Sequence, residues 1–158
     1  MLPAGRFEWI AEGWFKPTIL KFAANDPDGP IDQIQLLRFQ NGEDLSVAVR
    51  IIRHKGGLLL AGIVANDRDD GLKRANSSAV ILLDEWLRWR LHLLQIGTRE
   101  STAVLYLDND GVMEERVRLN WDSTAIEPSV LRAGIARLPA GAKATVLADE
   151  LRVSEFFP

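Results

Sequence analysis

The sequence contains no cysteine, which removes disulfides, thiolate nucleophiles and zinc–thiolate centres together. No apolar run approaches the ~20 residues that cross a bilayer as a helix, so membrane insertion is not expected. The first ten residues, MLPAGRFEWI, lack the apolar segment of a secretory signal, so no signal peptide is expected in this chain. Positive charge is not in excess either. Nineteen Lys and Arg stand against 22 Asp and Glu, a formal net charge of −3. A nucleic-acid partner asks for a basic face, and none is expected here.

What is present is the composition of a globular protein. The 158 residues are 47% hydrophobic and 26% charged, which suits one domain over 1–158 and not a disordered chain. No linker, repeat or low-complexity segment divides it.

The stretch from Ser77 to Trp121 organises the rest. Leu87, Trp89, Leu91 and Leu93 alternate with Arg88, Arg90 and His92, the period-two pattern of a strand with one buried face. A strand from Ala103 to Leu107 follows. It ends in Asp108-Asn109-Asp110-Gly111, a hairpin turn whose glycine can take positive φ. The return strand puts Met113, Glu115, Val117, Leu119 and Trp121 on one face. Leu82, Leu83, Trp86, Trp89 and Leu93 also fit a helical stripe, but the strict alternation and the β-rich flanks favour the strand.

Upstream, Arg6–Ile10 and Gly13–Phe22 are strand candidates. Pro17 in the second suits an edge strand or a bulge. Residues 25–30 form a loop. Ile31–Gln40 and the run from Leu45 to Ile51 are joined by a hairpin at Asn41-Gly42. Lys55-Gly56-Gly57 turns the chain into Leu58–Ala65, a continuous apolar run that fits a strand covered on both faces. Asn66 to Asn76 is a long polar loop. Downstream, Ser129–Leu138 and Ala144–Ser154 complete a series of roughly eleven short strands with no helix, the pattern of an all-β sandwich or barrel.

Several of these segments carry a family resemblance. They are LLRF (Leu36–Phe39), SVAVRIIRHKGGLLLAGIV, Trp86 ahead of an alternating run, VLYLDNDG (Val104–Gly111), a strand around Gly134, and ADELRVS (Ala148–Ser154). In this order they resemble a concanavalin A-like jelly roll of the laminin G-like type. The turn is two residues longer than the family's usual Asp-Gly, and Ala148 stands where an aromatic residue is common. The resemblance implies a two-sheet antiparallel sandwich, an extracellular or surface-associated setting, and calcium at a loop rim.

Three kinds of site follow. Glycoside hydrolases on this fold carry E-x-D-x-x-E, placing two carboxyls about 5 Å apart on one strand face. No E-x-D occurs in the sequence. The neighbouring pairs Asp84-Glu85, Glu114-Glu115 and Asp149-Glu150 point to opposite strand faces. His54 and His92 lie on separate strands, and there is no nucleophile elbow. An enzyme is therefore not expected. Calcium is the second kind. Asp67, Asp69 and Asp70, with Asp26 and Asp28, and Asp108 with Asp110, are oxygen-rich loops without EF-hand spacing, and turn chemistry explains them equally. The third is a sugar-binding strip of Trp86, Arg88, Arg90 and His92, an aromatic plate beside fixed donors. Its alternative is a core-capping Trp86 and cross-strand ion pairs. Asp149 shares its parity with Thr145, Leu147, Leu151 and Val153, so it is expected to be buried and structural, with Glu150 solvated.

The function expected from these residues is non-catalytic binding or adhesion to a glycan or protein surface, as monomer or oligomer. A structural or decoration subunit of a larger surface or virion-type assembly is the alternative. A glycan-active enzyme is the third reading.

Overall fold

The computed structural model describes residues 7–21, 33–41, 45–54, 57–96, 99–122, 130–137 and 143–156. They form ten strands: β1 (Phe7–Lys21), β2 (Gln33–Asn41), β3 (Leu45–Arg53), β4 (Leu59–Asp67), β5 (Gly71–Val80), β6 (Leu87–Ile96), β7 (Ser101–Asn109), β8 (Val112–Trp121), β9 (Val130–Arg137) and β10 (Lys143–Phe156). Two antiparallel five-stranded sheets result, in the orders β10-β1-β6-β7-β8 and β5-β4-β3-β2-β9. This is the expected jelly-roll sandwich. Among the described residues no helix is long and apolar enough to cross a membrane.

Period-two alternation builds the core between the sheets. Phe15, Trp89, Leu91 and Leu93 of the first sheet and Ile34, Leu36, Phe39, Val49, Ile51 and Ile63 of the second are all at most 1% exposed. Trp9 meets Phe39 edge to face across the two sheets at 5.7 Å, and Phe15 meets Trp89 at 6.4 Å. The apolar run in β4 is buried at every position from Ala61 to Val64 and Ala65, so both of its faces are covered.

Four readings of the strands change. The two N-terminal segments are one strand, β1, because Pro17 is absorbed at a register shift between Pro17 and Ile19 and does not end the strand. Pro17 also lies past Phe15, the last β1 residue paired to β6, so its missing N–H costs the sheet no ladder bond there. Gly71 to Asn76 is not loop but the start of edge strand β5, whose polar, exposed residues protect the edge. The turn before it is only Asp67 to Gly71.

In β8, a register shift opposite Leu105 and Tyr106 inverts the expected parity. Val117, Leu119 and Trp121 face the core, while Glu115 pairs with Tyr106 and Met113 with Asp108. The β7–β8 hairpin itself is the tight two-residue kind. Asn109 pairs with Val112, and Asp110 and Gly111 both have positive φ, 51° and 87°.

In β10 the parity is also reversed. Ala144 and Val146 pack on the core, whereas Asp149 is exposed and pairs with Trp14 on the opposite, solvent side. The burial expected for Asp149 is thus corrected. Its Oδ1 accepts a hydrogen bond from its own neighbour, Glu150 N–H, at 2.8 Å. Asp149→Ala is now expected to cost below about 1 kcal/mol in a denaturant titration, since one exposed local hydrogen bond is lost. A loss of several kcal/mol would place that carboxylate in the core after all. Asn25 to Pro30 and Gly42, expected as loop and turn, lie outside the described residues.

Candidate functional site

With Trp9, Ala11 and Phe15 turned inward, alternation sends Glu8, Ile10, Glu12 and Trp14 to the outer face of the first sheet. The neighbouring β6 presents Arg88, Arg90 and His92 there. Register then decides who meets whom. Trp14 pairs with Arg88, Glu12 with Arg90 and Ile10 with His92, and from β7 Tyr106 pairs with Arg90.

The contacts follow that register. Arg88 Nη2 and Arg90 Nε both donate to Glu12 Oε2, at 3.2 and 3.0 Å. The Glu12 side chain is only 16% exposed. Burial acts to raise its pKa, but the hydrogen bonds and charges of Arg90 and Arg88 outweigh burial and hold it below the usual 4.5. His92 Nε2 lies 2.5 Å from Glu8 Oε1. A carboxylate can only accept, so Nε2 carries the proton and Nδ1 is the ring's other nitrogen. Tyr106 completes the group, its ring 6.5 Å from that of His92 and 6.0 Å below the Arg90 guanidinium.

A cleft of about 280 Å³ opens beside this cluster, lined by Glu12, Gly13, Trp14, Arg88, Glu150 and Arg152. The face as a whole combines several fixed cations, an imidazole held by a carboxylate, and a phenol.

Because Glu12 has a lowered pKa, its contribution to stability is present above its unfolded-state value and is lost as pH falls through the lower folded-state one. Wild type should therefore be more stable than Glu12→Gln at neutral pH. That difference should shrink below pH 4.5, read as melting temperatures of the two proteins across an acid series. A constant gap down to strong acid would mean that Glu12 is not paired as described.

Arg88, Arg90 and His92 share one face, where Arg88 and Arg90 pair with Glu12 and His92 meets Glu8. Trp86 lies outside the strand. It precedes β6 in the connection after Ile81 and is 44% exposed, so it does not cap the core either. Of the acidic loops, Asp67 is 2% exposed, and its Oδ1 accepts from the N–H groups of Asp69 and Asp70 at 2.9 and 3.1 Å. Asp70 accepts from Asp122 N–H at the end of β8. Asp108 near the end of β7 and Asp110 in the β7–β8 turn lie beyond the other end of β8, about 30 Å away along that ten-residue strand. These loops therefore do not converge. Among the described residues no group of three or more His, Asp or Glu is placed to hold a metal ion. Asp26 and Asp28 lie outside the described residues.

Glu8, Glu12, Trp14 and Tyr106 were missed by sequence reasoning. Their alternation in FEWIAEGWF is visible, but the partner of β1 is some 80 positions away, and nothing local announces that pairing.

No family model and no curated relative matches the sequence. Solved structures do share the fold. An alginate lyase from Klebsiella pneumoniae matches 93% of this chain with a TM-score of 0.69 at 10% identity, and this chain spans 59% of its length. A marine PL-14 alginate lyase from Aplysia kurodai matches 99% of this chain and 72% of its own, TM-score 0.56, 12% identity. An alginate lyase from Pseudomonas aeruginosa matches 96% and 68%, TM-score 0.52, 14% identity.

The jelly-roll resemblance thus holds for the fold. The expectation of a non-catalytic adhesion module does not stand. Three solved structures that share this sandwich over nearly the whole chain are alginate lyases. The absent E-x-D argued only against hydrolysis by a carboxylate dyad.

Proposed function

We propose that this chain is a glycan-active enzyme, a polysaccharide lyase that cleaves a uronate-containing polymer by β-elimination on the outer face of the β10-β1-β6-β7-β8 sheet. Under this reading the sandwich belongs with lyase-type jelly rolls and not with the laminin G-like type. The observation that carries it is the group of Arg90, His92 and Tyr106 within one face, buttressed by Glu12 and Glu8.

The chemistry needs three things of the protein. The proton on the carbon α to the uronate carboxylate is too weakly acidic to leave unaided. Arg90 meets that carboxylate and stabilises the charge that develops on it as the proton leaves. Glu12 holds its guanidinium in place while leaving further N–H donors for the substrate. A base removes the proton. His92 Nδ1 fits that role, because Glu8 engages the other nitrogen and fixes the ring. The electron pair then forms the new carbon–carbon double bond as the glycosidic C–O bond breaks, and the departing oxygen takes a proton from the Tyr106 hydroxyl. No water is consumed and no carboxylate dyad is required.

The test is a panel of polysaccharides, several polyuronates and a neutral glucan, followed by the ultraviolet absorbance of the conjugated unsaturated uronate. Absorbance should rise with one or more polyuronates and never with the glucan. A folded protein that produces no rise from any polyuronate would contradict the proposal.

A further inference from the structure

We infer that the cleft between β1, β6 and β10 is a subsite that reads one acidic sugar unit of the polymer away from the reacting groups, with Arg152 as its specificity-determining cation; this rests on the lyase reading above. The cleft is made by a bulge. Glu12 pairs with Arg152 and Trp14 with Asp149, so both Glu150 and Leu151 stand opposite the single residue Gly13. A bulge of this kind re-aims the side chains around it. Here it holds Glu150 at φ 49°, a left-handed conformation that is costly for a residue with a side chain and that gathers at ligand-binding positions. At Gly13, opposite the bulge, a Cβ would lie 2.5 Å from Leu151 Cδ2, so the leucine side chain would have to shift to admit one.

The lining has the chemistry of a sugar acid. Trp14 offers an aromatic plate for a ring face, and Glu150 can accept from hydroxyls. Arg152 is the distinctive group. Arg88 and Arg90 share Glu12, Arg116 pairs with Glu114 and Arg118 with Glu115, but Arg152 has no ion pair among the described residues. A guanidinium without a counterion at the wall of a cleft is a planar, two-pronged receptor for a carboxylate. The volume of about 280 Å³ lies just under the usual range for small-molecule sites, which suits one sugar ring and not several. Arg88 in this lining stands four residues before His92 on β6, about 13 Å along the strand. A polymer whose scissile bond lies by His92 and Tyr106 would therefore reach the cleft with a unit further along the chain.

The test titrates a short oligouronate, its methyl ester and a neutral glucan oligosaccharide calorimetrically into wild type, Arg152→Ala and Trp14→Ala. Turnover of the polyuronate is measured on the same preparations. Arg152→Ala should bind the oligouronate about tenfold more weakly, the loss of one charge-assisted contact, with the ester and the glucan unaffected. Its KM for the polymer should rise by a similar factor with kcat nearly unchanged. Trp14→Ala should weaken the oligouronate and its ester alike, because stacking ignores charge. Equal oligouronate affinity in wild type and Arg152→Ala overturns the subsite, whether or not the polymer is cleaved. Weakened binding without any cleavage by wild type keeps the subsite and removes the lyase reading, and no binding by wild type removes both.

Discussion

Tyr106→Phe and His92→Ala should each lower turnover of a polyuronate by about 10²–10⁴-fold, the usual contribution of a positioned acid or base. Both should leave the fold intact. Tyr106→Phe deletes one oxygen from a half-buried ring and keeps its contacts with His92 and Arg90. His92 is also on the outer face, away from the Trp89–Leu91–Leu93 core stripe of its own strand. The loss should fall on kcat, because neither group is needed to hold the sugar chain. Glu8→Gln should have a milder effect in the same direction, since an amide can still accept from Nε2 but no longer stabilises an imidazolium. If Tyr106→Phe retained full activity, the leaving oxygen would have to take its proton elsewhere, and the assignment of Tyr106 would fail.

The largest effect on stability should come from Trp89→Ala. Trp89 is fully buried at the centre of β6 and stacks edge to face on Phe15. Removing such a ring typically costs about 3–5 kcal/mol, the lost transfer energy plus the cavity left behind. For a chain of this size that lowers the melting temperature by roughly 6–20 °C. Trp89→Phe should cost much less. It keeps an aromatic ring against Phe15, and it sheds an indole N–H that is buried with no hydrogen-bond partner. Trp86→Ala, at a residue 44% exposed, should cost under about 1 kcal/mol. Comparable losses at Trp86 and Trp89 would mean that Trp86 packs into the core after all. Since Arg88 and Arg90 flank Trp89, its loss should also loosen the face they form and reduce activity beyond the fraction unfolded.

The sandwich was legible because its strands alternate cleanly. Leu87 to Leu93, the apolar run of β4 and the Asp-Gly hairpin each state their structure locally. Parity was legible only up to the next irregularity. The bulge opposite Leu105 and Tyr106 turned Met113 and Glu115 to the outer face, and the one at Glu150 and Leu151 accompanies the exposure of Asp149. Bulges insert a single residue and leave no reliable mark in sequence. Half of the site was legible for the same reason. Arg88, Arg90 and His92 share a strand and so share a face. Glu8, Glu12 and Trp14 came from β1, whose pairing with β6 joins residues some 80 positions apart, and such register is set by the whole fold. The missing carboxylate dyad speaks only against hydrolysis. Under the lyase proposal, elimination next to a carboxylate asks instead for a cation, a base and an acid, the roles proposed for Arg90, His92 and Tyr106.

The mass of the reaction products tests this most directly. A polyuronate digested with the wild-type protein should yield oligosaccharides that are each one water lighter than the hydrolysis products of the same length, with the unsaturation at the newly formed end. Products carrying the added water, or a polymer left intact by a folded protein, would contradict an eliminative site on the β10-β1-β6-β7-β8 face.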